Sequence, residues 1–397
     1  MGASYDTTFH RESHPSDTVS TPFDVAVVGL GAMGSAAAYH LARRGQRVVG
    51  IDQYAPPHAL GSSHGRTRMI REAYYEHPLY VPLVQRAYAL WAELGHAAAG
   101  KTFMLRTGGL MIGPENCALV TGTLHSASLH RLPHEVLSSG KLHRKFPAFA
   151  PLDDMIGVFE PNAGILFPEP ILEAHLQLAA HHGATLRPNE RVLGWDRTAE
   201  GIAIRTDQGA YLARQLILAT GAWTAPFLAE LSLPLTVERQ VMHWFDPAQS
   251  PEYFSSQRMP VSLWELHNGS IFYTKPDLGD GVKIGFHHGG AVVTADSANR
   301  TISDAEDALI YDLLRRFLPF AKGHQRERAV CLYTNTPDLH FIVDRHPGAE
   351  EVLILSPCSG HGFKFASVVG EIAADLVITG SSSYDLAPFR LARFAAS

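Results

Sequence analysis

The sequence predicts an α/β chain (α+β overall): a doubly wound parallel-sheet domain built from separated segments, with a largely antiparallel-sheet domain inserted between them. Three observations predict it. A strand, a glycine cluster, a helix and a second strand follow one another over residues 23–52. A later apolar strand, QLILATG, also runs into a glycine, and SGHG precedes the last helical run. Between them, residues 235–295 read as strands with aromatic content, from VMHWF to VKIGFHHGG.

The elements follow in order. FDVAVV, residues 23–28, is a short apolar run of the kind a buried parallel strand shows. GLGAMG follows, then an alanine-rich helix over Ser35–Arg44, with Gly45 placed to cap it. QRVVGID, residues 46–52, is the second strand, and a strand–helix–strand unit favours a right-handed crossover in a parallel sheet. Leu83, Val84, Ala87, Leu90, Trp91 and Leu94 fall at helical spacing, and Gly95 is expected to stop that helix. Residues 170–183 repeat the helical pattern. Residues 191–221 read as strands with a turn at Asp207-Gln208-Gly209. Ser303 and Glu306 form a capping box for the helix of DALIYDLLRRFL. The last helix spans Phe365 to Thr379 and ends at Gly380.

Composition bounds the function. The chain has 397 residues, 46% of them hydrophobic, and a formal net charge of -6 without a block of like charge. That length buries a core without staples, and the charge pattern offers neither a nucleic-acid footprint nor a polybasic membrane patch. Cys117, Cys331 and Cys358 are too scattered for a disulfide framework, so a reducing cytoplasm is expected. The adjacent histidines His181-His182 and His287-His288 lack metal-ligand spacing, and no metal site is assigned. Residues 1–22 are polar and are read as a flexible extension.

Gly29, Gly31 and Gly34 form a GxGxxG motif between a strand and a helix. The first glycine makes the tight turn, the second lets the backbone approach a pyrophosphate, and the third lets helix and strand pack closely. Unpaired N–H groups at the helix start then face the phosphates. Asp52, ending the second strand, can accept from the ribose hydroxyls and disfavours a 2′-phosphate. This is a Rossmann-type dinucleotide site. The motif alone leaves NAD and FAD open; the strand ending at Gly221 tilts toward FAD.

Further stretches bear on the reaction: GSSHGRTRMIREAY (61–74), CLYTNTPDLHFIVDRHP (331–347), CSGHGFKFASVVGEIAADL (358–376) and YDLAPFRLARF (384–394). Together they resemble the monomeric sarcosine oxidase family, which includes N-methyltryptophan, pipecolate and fructosyl amino acid oxidases. The likeness covers residues 23–394. It implies FAD joined by a thioether to Cys331, with Ser63, His64, Thr67, Arg68, Val192, Gly221, Gly360, Gly362 and Lys364 also around the cofactor. It implies that Arg71 and Lys364 bind the substrate carboxylate, that Lys283 activates oxygen, and that Tyr273, His287 and Tyr333 lie near the substrate amine. It implies a monomer acting on a small amine and O2. Residues 23–104, 166–236 and 330–397 would then form the FAD-binding domain, and 105–165 and 237–329 the substrate domain.

Physical reasons support these roles. A fixed cation such as Arg68 stabilises an anionic reduced flavin, and the N–H groups of Gly360 and Gly362 could point at developing charge. Arg holds a carboxylate bidentately while Lys adds a point charge. Arg66, Arg68 and Arg71 lie close together in sequence and need anionic partners, which FAD and a substrate carboxylate would supply. Without the resemblance, Lys283 would be read as a strand lysine facing solvent, and Cys331 as a small buried hydrophobe.

This chain also departs from the pattern. Thr274-Lys275-Pro276 follows Tyr273 where family members often have Gly-Phe-Pro, in a loop one residue shorter, and Lys275 is expected at the pocket mouth. Arg66 and Leu339 stand where acidic residues are common. The expected reaction is oxidative demethylation of an N-methyl amino acid, giving formaldehyde and hydrogen peroxide. The alternatives are a cyclic or glycated amine substrate, a colourless NAD dehydrogenase, and a flavoprotein that passes electrons to a partner protein.

Overall fold

The computed structural model describes residues 22–394. The extension read over 1–22 lies outside the described residues except for Pro22. Among the described residues the strands form three sheets. The first has a parallel core in the order Ala349–Ser356, Ala210–Leu218, Phe23–Val28, Val48–Asp52 and Thr185–Pro188. Val25–Val28 and Val48–Ile51 are buried on both faces, which is why they read as unbroken apolar runs. Val192–Thr198 and Gly201–Thr206 extend this sheet antiparallel.

The Ala32–Ala42 helix packs against the helices Ala366–Ile378 and Pro168–His181 on one face of that sheet. Its contact with the last helix is close enough that a Cβ at Gly370 would lie 2.7 Å from Ala36. The second sheet is nine-stranded and mostly antiparallel, and contains Thr236–Phe245, Val261–Glu265, Ile271–Lys275, Val282–His287 and Gln325–Asn335. Its outer face packs on the Asp304–Phe317 helix through Ile310, Leu314 and Phe317, against Trp264 and Phe272. Ser303 caps that helix, with the reciprocal Glu306 bond present. A small third sheet joins Arg68–Ile70, Gly164–Leu166 and Met104–Arg106. No described helix is long and apolar enough to cross a membrane.

Two helix limits differ from expectation. The first helix begins at Ala32, directly on the glycine turn, where Ser35 was the expected start. The Tyr80–Ala97 helix runs through Gly95. Gly95 is there for clearance: a Cβ would stand 2.7 Å from the Lys101 carbonyl oxygen as the chain folds back over the helix end.

Candidate active site

The glycine turn is fixed by close approach. Gly29 has φ +88°, and a Cβ there would lie 2.4 Å from the Ala219 carbonyl oxygen. A Cβ on Gly34 would lie 1.7 Å from the Gly29 carbonyl oxygen, so helix and strand meet only if both are bare. Gly31, the helix N-cap, has no side-chain cap, and the first turn carries no acid. Ala32 N is taken by Ser63, and the remaining first-turn donors stay free toward a cavity of about 800 Å³ that Gly29, Gly31, Asp52, Val192 and Gly221 line at this end.

The Asp52 carboxylate accepts from Leu30 N at 2.7 Å and Tyr54 N at 2.9 Å, tying the second strand to the glycine turn. Burial raises its pKa and these bonds oppose the rise. Each oxygen still has a free lone pair. Ser63 also lines the cavity and accepts from Ala32 N at 3.2 Å.

At the other end the pleat sorts the side chains. In the antiparallel pair Ile271–Lys275 and Val282–His287, Tyr273 faces Gly285, Lys275 faces Lys283, and Ile271 faces His287. Directly opposed residues share a face, so Tyr273, Lys275, Lys283 and His287 all point to the cavity side. The alternate residues Phe272, Val282 and Ile284 enter the core. Gly285 makes room for the tyrosine: a Cβ would lie 2.6 Å from the Tyr273 hydroxyl. Cys331 and Tyr333, two apart on Gln325–Asn335, face the same space, and the Tyr333 hydroxyl lies 3.4 Å from His287 Nδ1. Burial lowers the His287 pKa and raises that of Tyr273.

Five buried or half-buried basic side chains surround this end. Arg68 donates to Thr67 O at 2.9 Å and Ser62 O at 2.8 Å, with Nη2 3.7 Å from Cys331 Sγ. Lys283 Nζ donates to Gly65 O at 2.6 Å and lies 4.8 Å from the Trp244 ring centre. Lys364 Nζ donates to His361 O at 2.7 Å and Tyr74 Oη at 3.1 Å. Burial, then the neighbouring Arg71 charge, lowers Lys364 to about 7. Arg71 is fully buried and binds both oxygens of Glu76, at 2.8 and 2.6 Å. Burial would raise the Glu76 pKa, but Arg71 holds it below the usual value. The fifth is Lys275.

Most of the residues named from sequence line this single cavity, including Gly360, Gly362, Lys364, Arg71 and Cys331. Gly34, His64, Thr67 and Lys283 lie behind its wall. His64 Nε2, Thr67 Oγ1 and Arg71 Nε are buried with no partner among the described residues. Burial and then Arg68 lower His64 to about 3, so its ring is neutral near pH 7. A backbone cradle at one end, with unsatisfied donors and acceptors at the other, fits a bound dinucleotide cofactor.

Two expectations are corrected. Lys275 is not at the pocket mouth: it is 4% exposed, beside Lys283, because it shares the face of Tyr273. The three arginines do not all await ligands. Arg66 turns outward to Glu327 and Asp280, and Arg71 already has Glu76. Arg66 and Leu339 both have positive φ and neither lines the cavity.

Sequence reasoning missed Glu76, whose only signal is a carboxylate close after Arg71 in an otherwise aromatic stretch. It also missed Glu169, which accepts from Gly65 N at 2.7 Å and Arg66 N at 3.0 Å and so holds the 64–67 loop. No local pattern marks it.

The family model described as DAO, FAD dependent oxidoreductase, matches residues 24–376. Monomeric sarcosine oxidase of Streptomyces avermitilis is 40% identical over 383 residues, covering 96% of this chain and 100% of that protein. The chain belongs to the monomeric sarcosine oxidase family of FAD-dependent oxidoreductases. N-methyl-L-tryptophan oxidase of Escherichia coli is 38% identical over 376 residues, covering 94% of this oxidoreductase and 99% of that one. Among solved structures, the open form of NikD, an amino acid oxidase of nikkomycin biosynthesis, shares the fold with a TM-score of 0.82 at 23% identity, covering 94% and 98% of the two chains. Glycine oxidase from Geobacillus kaustophilus does so with a TM-score of 0.77 at 20% identity, covering 94% and 99%.

Proposed function

We propose that this oxidoreductase demethylates N-methyl amino acids with O2 and water, releasing the amino acid, formaldehyde and hydrogen peroxide. The observation that carries this reading is one cavity that joins two carboxylate-binding cations, Arg71 and Lys364, to the Tyr273, His287 and Tyr333 cluster beside Cys331. The names of the Streptomyces and Escherichia coli relatives point to the same chemistry.

When bound, FAD takes a hydride equivalent from the N-methyl carbon and returns two electrons to O2. Gly29, Gly31 and the uncapped helix start would hold its pyrophosphate, and Asp52 its ribose. Arg71 and Lys364 bind the substrate carboxylate and so orient the methyl group; Arg71 holds Glu76 on Nη2 and has its Nε without a partner. Orientation of this kind supplies about 7 kcal/mol of barrier lowering or more in well-aligned cases. His287, neutral because burial lowers it, does not repel a positive charge developing on nitrogen. Lys283 offers positive charge to the oxygen step.

The FAD is assigned a thioether to Cys331, whose sulfur faces the cavity 3.7 Å from Arg68 Nη2. Burial pushes the Cys358 thiol up to about 11, so little of it is thiolate near neutral pH. The FAD-binding part is assigned to 23–104, 166–236 and 330–397, which hold the parallel sheet. The substrate part is assigned to 105–165 and 237–329. A monomeric cytoplasmic enzyme fits the three free cysteines and the Streptomyces relative's name.

The test is acid precipitation followed by an amine panel. The pellet should be yellow, white for Cys331→Ala and yellow for Cys358→Ala. Formaldehyde should match peroxide mole for mole on N-methyl amino acids. Peroxide without formaldehyde, on cyclic or glycated amines only, would replace the substrate class.

A further inference from the structure

Lys275 has no role in the function above, yet it lines the cavity and is as buried as the residues that do. It stands directly across the strand pair from Lys283. Its Nζ donates to Thr67 O at 3.3 Å, and Lys283 Nζ donates to the same oxygen at 3.4 Å. The two nitrogens are therefore no farther apart than two hydrogen bonds through one atom. Among the described residues, neither lysine forms an ion pair with a carboxylate. Two ammonium groups at this spacing, out of water and next to Arg68, repel strongly.

We propose that Lys275 and Lys283 hold one proton between them, and that Lys275 acts as a positioning residue that sets the charge Lys283 offers to the oxygen step. The proposal rests on the flavin-oxidase reading for its consequence, but the shared proton belongs to the protein itself.

The surroundings decide which lysine keeps the proton. Lys283 has the shorter bond, 2.6 Å to Gly65 O, and the Cys331 sulfur and the carboxylates of Glu169 and Asp280 favour its charge, against Arg68. Lys275 lies over the Tyr273 ring, its centre 4.5 Å away, with Lys283, Arg68 and Lys364 as nearby cations and the Cys331 sulfur the one group that favours its charge. Burial lowers both lysines; for Lys275 the Lys283 charge adds to it. Lys283 is thus the ammonium and Lys275 the neutral amine. Charge at the oxygen site is fixed at one unit until the pH removes it. The Lys283 charge lowers Lys275, so Lys275 loses its proton first; Lys283 then titrates beside a neutral amine whose lone pair favours its ammonium, and keeps its proton to a higher pH than it would beside an apolar side chain.

The experiment is Lys275→Met in full-length protein carrying 13Cε-lysine, titrated by NMR with and without cofactor. In parallel, reoxidation of the reduced enzyme by O2 is followed across pH. Replacing the neutral amine by an apolar group should lower the Lys283 midpoint by at least about one unit, and move the alkaline fall of the reoxidation rate constant down by the same amount. If Lys275→Met does not fold, Lys275→Gln keeps a donor for Thr67 O and carries the same expectation. A Lys283 midpoint and an alkaline limb both unmoved would overturn the pair. If the protein bound no flavin or no amine reduced it, the oxidase reading would fail, while the NMR titration would still decide whether one proton is shared.

Discussion

At one end of the cavity the chain presents backbone: Gly29, Gly31 and an uncapped helix start, with Asp52 the one acidic side chain that ties them together. At the other end it presents five basic side chains, held by carbonyl oxygens, aromatic faces and one carboxylate. The first end binds by lacking side chains, and its cost is paid in close packing. The second binds by carrying charge out of water, and its cost is desolvation. The two ends should therefore fail differently when mutated: one through shape, the other through uncompensated charge.

The largest effect is expected at the charged end. Arg71→Ala leaves Glu76 buried without its partner, and breaking a buried pair costs about 3–5 kcal/mol. The melting temperature should fall by more than about 5 °C, and the substrate KM should rise at least about 100-fold. The double variant Arg71→Ala/Glu76→Ala should recover most of the stability and none of the KM. If the double variant were as unstable as the single, the loss would come from packing around Tyr74, and the contrast between the two ends would blur.

Gly34→Ala tests the other end. The new methyl would meet the Gly29 carbonyl oxygen, a backbone atom with nowhere to go. Overpacking of this kind costs about 1–3 kcal/mol, and the helix start would move off the cofactor. Apoprotein stability and flavin content should fall together. Gly31→Ala sharpens the comparison, because its methyl meets only Ser63 Oγ at 3.5 Å. Apoprotein melting should hold within about 1 °C while FAD affinity drops, since the space is needed only by the ligand. Equal behaviour of the two variants would show that the turn is not graded in this way.

The two ends also differ in how far they can be read from sequence. The glycine turn is legible because its pattern is local, three glycines with a strand before and a helix after, although Ala219, Asp52 and Ser63 complete it from farther along the chain. The parallel strands are legible for a related reason, since burial on both faces leaves an unbroken apolar run. The catalytic face was half legible. Period two puts Tyr273 with Lys275 and Lys283 with His287 on one side, yet Lys275 was expected at the mouth because it was compared with a different residue in relatives instead of being placed by its own strand. The register that sets Lys275 against Lys283 depends on pairing across a turn. Glu76 and Glu169 were not legible, because what makes them matter is a cation or a loop N–H brought to them by the fold. Gly95 misled for the converse reason: a glycine that would end a helix by its conformation is here inside one, for clearance from a chain segment that only the fold returns to it.

The smallest effect expected is a pH dependence at Lys364. Burial, then Arg71, lowers its amine to about 7, so the empty site holds an ammonium below that pH and a neutral amine above it. A bound carboxylate favours the ammonium and raises the pKa in the complex. Binding above about pH 7 must therefore take up a proton, and affinity should fall as pH rises, by at most about tenfold per unit. A simple carboxylate without an amine isolates this group, because the ligand itself does not titrate between about pH 6 and 9. Its dissociation constant, read from the change in the flavin spectrum, should be flat below about pH 7 and rise above it. In Lys364→Met the constant should be larger throughout and lose that rise. Arg71 cannot substitute for the missing slope, since its guanidinium stays charged across the range. A native enzyme whose affinity stayed level from about pH 6 to 9 would mean that Lys364 keeps its proton in the empty site, with Glu76 offsetting its burial more than the Arg71 charge opposes it.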